Sequence, residues 1–197
     1  PTNVGEGLIL FIAILFGIAL PILPVQILWV NTVTAVALGL VLAMEPREPG
    51  IMTRPPRKVH APILTPELTA RVLLVGFCIL LGTFGLYELD LIRNQDPVHA
   101  RTVAVNVIVM IEIFYLFNCR SFRHSVFRIG FMSNRWVIAG TLLMIFLQIS
   151  FTYLPFMNRL FQTTPIHPID WVWILLVSLT AYLVVEIEKW IRRRLST

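Results

Sequence analysis

The sequence predicts an all-α membrane protein, a six-helix transmembrane bundle with both ends cytoplasmic, forming one domain over residues 1–197. Three observations predict it. Of 197 residues, 57% are hydrophobic and 14% charged, with a mean hydropathy of +0.79, whereas soluble globular domains carry about 25% charged residues. Apolar runs near the roughly 20 residues that cross a bilayer as helix recur along the whole chain. Lys and Arg fall unevenly on alternate loops, thirteen of the 16 on one side and three on the other, and the positive-inside rule makes the rich side cytoplasmic.

The expected spans cover about 1–20, 25–44, 68–88, 101–119, 135–154 and 169–188. In the first, Leu8–Leu20 is apolar over only 13 residues, about 20 Å of helix against a hydrocarbon core of about 30 Å. The expectation is therefore a helix truncated at the chain start. An opening on Pro1, with neither an initiator Met nor a basic signal-peptide region, fits a fragment of a longer protein. Pro21 and Pro24 make the next turn short, so the first two spans are expected as an antiparallel hairpin. Val25–Met44, the second span, is more polar than the rest. The loop Glu45–Pro66 holds six prolines and no apolar periodicity, which favours extended chain, either a linker or a strap against a cytoplasmic partner.

Gly76, Gly82 and Gly85 in the third span permit close helix approach. The loop after it is mostly acidic, with Glu88, Asp90 and Asp96, whereas the loop after the fourth span carries Arg120, Arg123, Arg128 and Arg135. The tail ends in Lys189, Arg192, Arg193 and Arg194. Trp136, Trp171, Trp173 and Trp190 fall near expected span ends, where an aromatic belt forms. Cys78 and Cys119 lie apart in apolar surroundings and suggest neither a disulfide nor a metal site.

Polar groups inside spans carry the functional signal. Asn31 and Thr34 share one helix face at spacing i, i+3, as do Asn3 and Glu6 on the neighbouring span. An intramembrane carboxylate costs at least about 2.5 kcal/mol, so it needs a partner, a proton or an ion. Four oxygen-bearing side chains on two hairpin-linked helices suit a hard cation; interhelical hydrogen bonding is the alternative reading. Glu112 and Tyr115 on the fourth span form a further candidate cation or proton site, or a helix pair. Gln148 on the fifth is another candidate, and equally a packing hydrogen bond. Glu186 sits near the cytoplasmic end, where it can pair with Lys or Arg.

Other classes fit less well. The basic residues lie beside spans without interleaved aromatic platforms, which disfavours nucleic acid as a partner. His60, His99, His124 and His167 show no metal-ligand spacing. The sequence shows no nucleophile–base arrangement for an intramembrane hydrolase and no glycine-rich phosphate loop.

Specific blocks add a family. Asn3-Val4-Gly5-Glu6, Pro24 through Asn31, Val33-Thr34 and Ile51-Met52-Thr53-Arg54-Pro55-Pro56-Arg57 resemble the carboxy-terminal membrane half of P-type cation-transporting ATPases of the calcium and sodium/potassium pump group. Phe117 through Ser121 and Ser125-Val126-Phe127 are similar to the end of the eighth helix and its loop. The resemblance implies helices five to ten of a pump that couples ATP hydrolysis, through an aspartyl-phosphate, to cation transport. It implies Asn3, Glu6, Asn31 and Thr34 as cation ligands, with Ca, Na or H as the transported ion. ATP and Mg would be handled by upstream cytoplasmic domains, and the partners would be those domains, upstream helices and the lipid bilayer of a plasma or inner membrane. Where calcium pumps carry an Asp after the Val-Thr pair, this chain has Ala35, and the Gly and Pro that accompany helix unwinding there are missing from Val36–Leu38. Losing that carboxylate favours one divalent ion, or a monovalent ion or proton, over two divalent ions. The rival reading is a self-standing membrane scaffold or channel-like subunit whose polar residues serve only helix packing.

Overall fold

A computed structural model describes residues 1–45, 65–120 and 134–195. The expected strap in Glu45–Pro66 and the blocks at 51–57 and 121–127 lie largely or wholly outside these residues. The described chain is helical: α1 (Thr2–Phe16), α2 (Pro24–Leu42), α3 (Pro66–Asn94), α4 (Pro97–Cys119), α5 (Arg135–Tyr153), the short α6 (Pro155–Phe161) and α7 (Pro168–Leu195). Five of these, α2, α3, α4, α5 and α7, are long and apolar enough to cross a membrane, and α1 is a shorter apolar helix. The chain is an integral, multi-pass membrane protein.

Local chemistry sets the helix ends. Proline stands in the first turn of α2, α3, α4 and α6, where its missing N–H costs nothing and its fixed φ suits the helix. The Thr65 hydroxyl accepts from the Leu68 N–H at 3.3 Å and Asp96 from the Val98 N–H at 2.8 Å, satisfying donors the first turn leaves open. α1 stops four residues earlier than the sequence suggests because Gly17 adopts φ 64°, and the Ile18 N–H turns back to the Ala13 carbonyl at 2.9 Å. The turn to α2 thus runs from Gly17 to Leu23 rather than from Leu20. α3 and α7 extend beyond their expected apolar segments at one or both ends. α6 was not expected as a separate element; Leu154, with ψ 127°, breaks α5 before Pro155.

α4 is the most enclosed span, and its Val103, Val105, Val107, Ile108, Val109 and Ile111 belong to the main apolar core. It packs against α3 and α7 and also touches α2 and α5, while α1 lies on α3. Close approaches use glycine. A Cβ on Gly5 would meet the Ile79 side chain at 2.8 Å, and one on Gly82 would meet Val177 at 2.7 Å. Gly76 faces Val4 in the same way, whereas Gly85 faces open space and permits no close approach. Large apolar side chains such as Phe11, Ile14, Leu28, Leu81, Phe146 and Leu176 point outward, as expected of surface that meets lipid.

α2 departs from regular helix over Ala35–Gly39, where the hydrogen bonds lengthen to π spacing and the Leu40 N–H reaches the Ala35 carbonyl. Against this turn lies Gly140 of α5, where a Cβ would collide with the Ala37 carbonyl and with Val41. The Gly and Pro that accompany helix unwinding in calcium pumps are missing from Val36–Leu38, yet the helix is irregular here. The irregular turn is where α5 comes closest.

Candidate cation site

α1 and α2 meet through one interhelical hydrogen bond. The Asn31 amide donates to Glu6 Oε2 at 2.8 Å and to the carbonyl of Ile27, on its own helix, at 3.2 Å. Glu6 is buried at 3% exposure, and its second oxygen, Oε1, has no hydrogen-bond partner. Gly5 explains the burial, because its missing Cβ lets α1 sit directly on Ile79 of α3.

Glu112 enters the same place from α4. It is buried, and the side chains of Thr2, Thr34 and Glu6 lie near its carboxyl. Its Oε2 also lacks a hydrogen-bond partner. The Thr34 hydroxyl donates to the Val30 carbonyl at 2.8 Å, so its lone pairs stay available. Glu6, Asn31, Thr34 and Glu112 therefore converge from three helices. Two neighbouring carboxyl groups removed from water require a counter-charge or a shared proton, and their orphan oxygens supply hard ligands of the kind alkaline-earth and alkali cations take.

The other candidates go elsewhere. Asn3, one turn before Glu6, is exposed, while Thr2, which sequence reasoning did not single out, contacts Glu112. Tyr115 lies beside Cys119, toward Arg71 and Glu188 and away from the carboxyl pair. Gln148 donates to Asn106 Oδ1 at 3.0 Å and accepts from the Trp29 indole at 3.5 Å. Asn106 in turn donates to Thr152 Oγ1 at 3.1 Å. This network joins α2, α4 and α5 and is separate from the carboxyl pair. Glu186 pairs with Lys189 at 3.0 Å, as a carboxylate near the cytoplasmic end can.

A second polar cluster was hidden in the sequence. His99, without ligand spacing to any other histidine, is brought beside Asp90 and Asp170, all three buried, with ligand atoms within 4.8 Å of one another. The separation of 170 from 90 and 99 conceals it; only the packing of α7 against α3 and α4 assembles the group.

The chain matches the family described as "Cation transporting ATPase, C-terminus" over residues 19–191. It is 47% identical over 193 residues to a probable cation-transporting ATPase F of Mycobacterium tuberculosis, covering 98% of this chain and 21% of that protein. It is 34% identical to a cation-transporting ATPase of Synechocystis over 87% of this chain and 19% of that protein. With a calcium-transporting ATPase of Bacillus subtilis the identity is 33%, over 90% of this chain and 20% of the relative. The chain spans about a fifth of the length of the curated relatives it matches. An all-helical membrane bundle matched over residues 19–191 belongs to the cation-transporting ATPase family, as the carboxy-terminal domain of its P-type pumps.

Proposed function

We propose that this chain is the cation-translocating membrane domain of an ATP-driven P-type pump and that it binds the transported ion between α1 and α2, with Glu112 of α4 completing the site. The observation that carries the reading is the meeting of Glu6, Asn31 and Glu112 around two buried carboxylate oxygens without hydrogen-bond partners. A structural hydrogen-bonding role would leave no reason to bury both oxygens unpaired. A cation would satisfy them.

Ala35 brings no carboxylate to the site, so its charge comes from Glu6 and Glu112. Two carboxyls and the oxygens of Asn31 and Thr34 suit one divalent ion, or a monovalent ion or protons, better than two divalent ions. Asn3, exposed one turn from Glu6, and Tyr115, beside Cys119, would then lie outside the site, and Gln148 would act by fixing the α2–α4–α5 contact. Upstream helices and cytoplasmic domains of the same protein would handle ATP and Mg, and a plasma or inner membrane would hold the whole.

The test is ion-dependent phosphorylation of the intact protein. Glu6→Gln should abolish it, and Glu112→Gln should shift the cation concentration required by tenfold or more. Unchanged ion dependence in Glu6→Gln would sink the proposal. A titration with calcium, sodium, potassium and manganese identifies the ion.

A further inference from the structure

Asp90 closes the last turns of α3, His99 lies in the first turn of α4 and Asp170 in the first turn of α7. All are buried at 4–6% exposure, at the end of the bundle opposite the basic loops. Asp90 Oδ2 lies 2.7 Å from His99 Nδ1, and Asn94 donates to the other Asp90 oxygen at 2.8 Å. A carboxylate so placed fixes the proton on Nδ1 and turns the lone pair of Nε2 away from it. Nε2 is buried without a hydrogen-bond partner and points at Asp170 Oδ2, 3.6 Å away. That is too long for a hydrogen bond.

The same gap suits a metal ion. Two ligands at about 2.0–2.2 Å from a tetrahedral zinc stand about 3.4 Å apart. His167, exposed in the loop before α7, has its ring centre 5.5 Å from that of His99 and stands outside the group of ligand atoms within 4.8 Å. A turn of its exposed ring would bring a nitrogen to the ion, since two imidazoles sharing one hold their centres about 5 Å apart. The His167 main-chain N–H donates to Asp170 Oδ2 at 2.9 Å, tying the loop to the carboxylate. An Asp–His pair behind the coordinating nitrogen is the arrangement that orients histidine toward zinc.

We propose that His99 Nε2, the Asp170 carboxylate and the His167 imidazole bind a borderline divalent cation of the zinc type at the non-cytoplasmic end, with water as the fourth ligand. Asp90 is a positioning residue. The ion ties the α3–α4 hairpin to the start of α7, distinct from the transport site in both place and ligand chemistry. Imidazole selects zinc, cobalt or nickel over calcium and sodium.

The experiment uses the intact protein in detergent, stripped with a chelator and titrated with Zn2+ by calorimetry, with Co2+ as a spectroscopic probe. Wild type should bind one more Zn2+ per chain than His99→Ala. It should also give the intense visible absorption of tetrahedral cobalt, absent from that variant. Asp90→Asn should weaken Zn2+ binding about 10–100-fold. Should His99→Ala fail to fold, His167→Ala decides, because its side chain is exposed and its loss should still weaken binding by about tenfold or more. Equal Zn2+ affinity in wild type and His167→Ala, or no tetrahedral cobalt spectrum in wild type, overturns the proposal. Neither outcome bears on cation-dependent phosphorylation through Glu6.

Discussion

Asn31 and Thr34 stand one turn apart on α2, yet their bonds commit them differently. Asn31 spends one amide hydrogen on Glu6 of the neighbouring helix, a hydrogen bond to a group that can carry charge and is therefore worth about 1.5–3 kcal/mol. Thr34 donates within its own helix, to Val30, and offers the site only lone pairs. Asn31→Leu is therefore expected to lower the apparent cation affinity of the intact protein by about tenfold or more, since about 1.4 kcal/mol is a factor of ten. Thr34→Ser keeps the hydroxyl and should change affinity by less than about threefold. Cation titration of ATPase activity checks both, and equal losses in the two variants would contradict the division of roles.

At the level of elements, one glycine contact governs the irregular stretch of α2. A Cβ at Gly140 cannot coexist with the Ala37 carbonyl, so Gly140→Ala should cost about 1–3 kcal/mol through overpacking. Gly85 faces open space on α3, and Gly85→Ala should instead stabilise by about 0.5–1 kcal/mol through helix propensity. Denaturant unfolding in detergent separates the two, and a cost at Gly85 as large as at Gly140 would refute the packing argument. This contrast also marks what the sequence could convey. Long apolar runs with proline at their starts announced the spans, because burial and backbone chemistry act locally. Gly76, Gly82 and Gly85 look alike in sequence, but which of them meets a neighbour depends on how α1, α3 and α7 cross. The pairing of Glu6 with Asn31 was legible because both are polar side chains inside consecutive apolar spans, although α1 packs on α3 and reaches α2 through that one hydrogen bond. The contact of Thr2 with Glu112, and the grouping of Asp90, His99 and Asp170, depend on helices distant in sequence. The π turn has no compositional mark, since Ala35–Gly39 reads as ordinary apolar helix.

Across the whole molecule, ionic contacts gather near the two ends of the bundle. Near the cytoplasmic end Arg71 holds Glu188 at 2.8 Å, Arg192 joins the same carboxylate, and Arg120 and Asn134 converge on Glu45. Lys189, almost fully buried, donates to the Asn118 carbonyl at 2.9 Å. Asp90, His99 and Asp170 occupy the opposite end. Between the two lie mainly apolar contacts, the Asn106–Gln148 network and the carboxyl pair, as a low-dielectric interior demands. The excess of Lys and Arg at one end predicts an orientation that labelling can read. With Cys78 and Cys119 replaced, a cysteine at exposed Arg159 should react with a membrane-impermeant maleimide on intact cells, and one at exposed Glu67 only after permeabilisation. The reverse pattern would invert the topology.

The turn at Ala35–Gly39 holds one residue more than an α-turn in the same length of hydrogen bonding. Such a surplus can shift along a helix by re-pairing a few carbonyls, and each residue it passes rotates by about 100°. Thr34 stands next to that surplus and Gly140 sits against it. α2 therefore stores a discrete increment of rotation beside Asn31 and Thr34, with a neighbouring helix packed against it. Re-aiming Thr34 would require that packing to yield, not the helix to break.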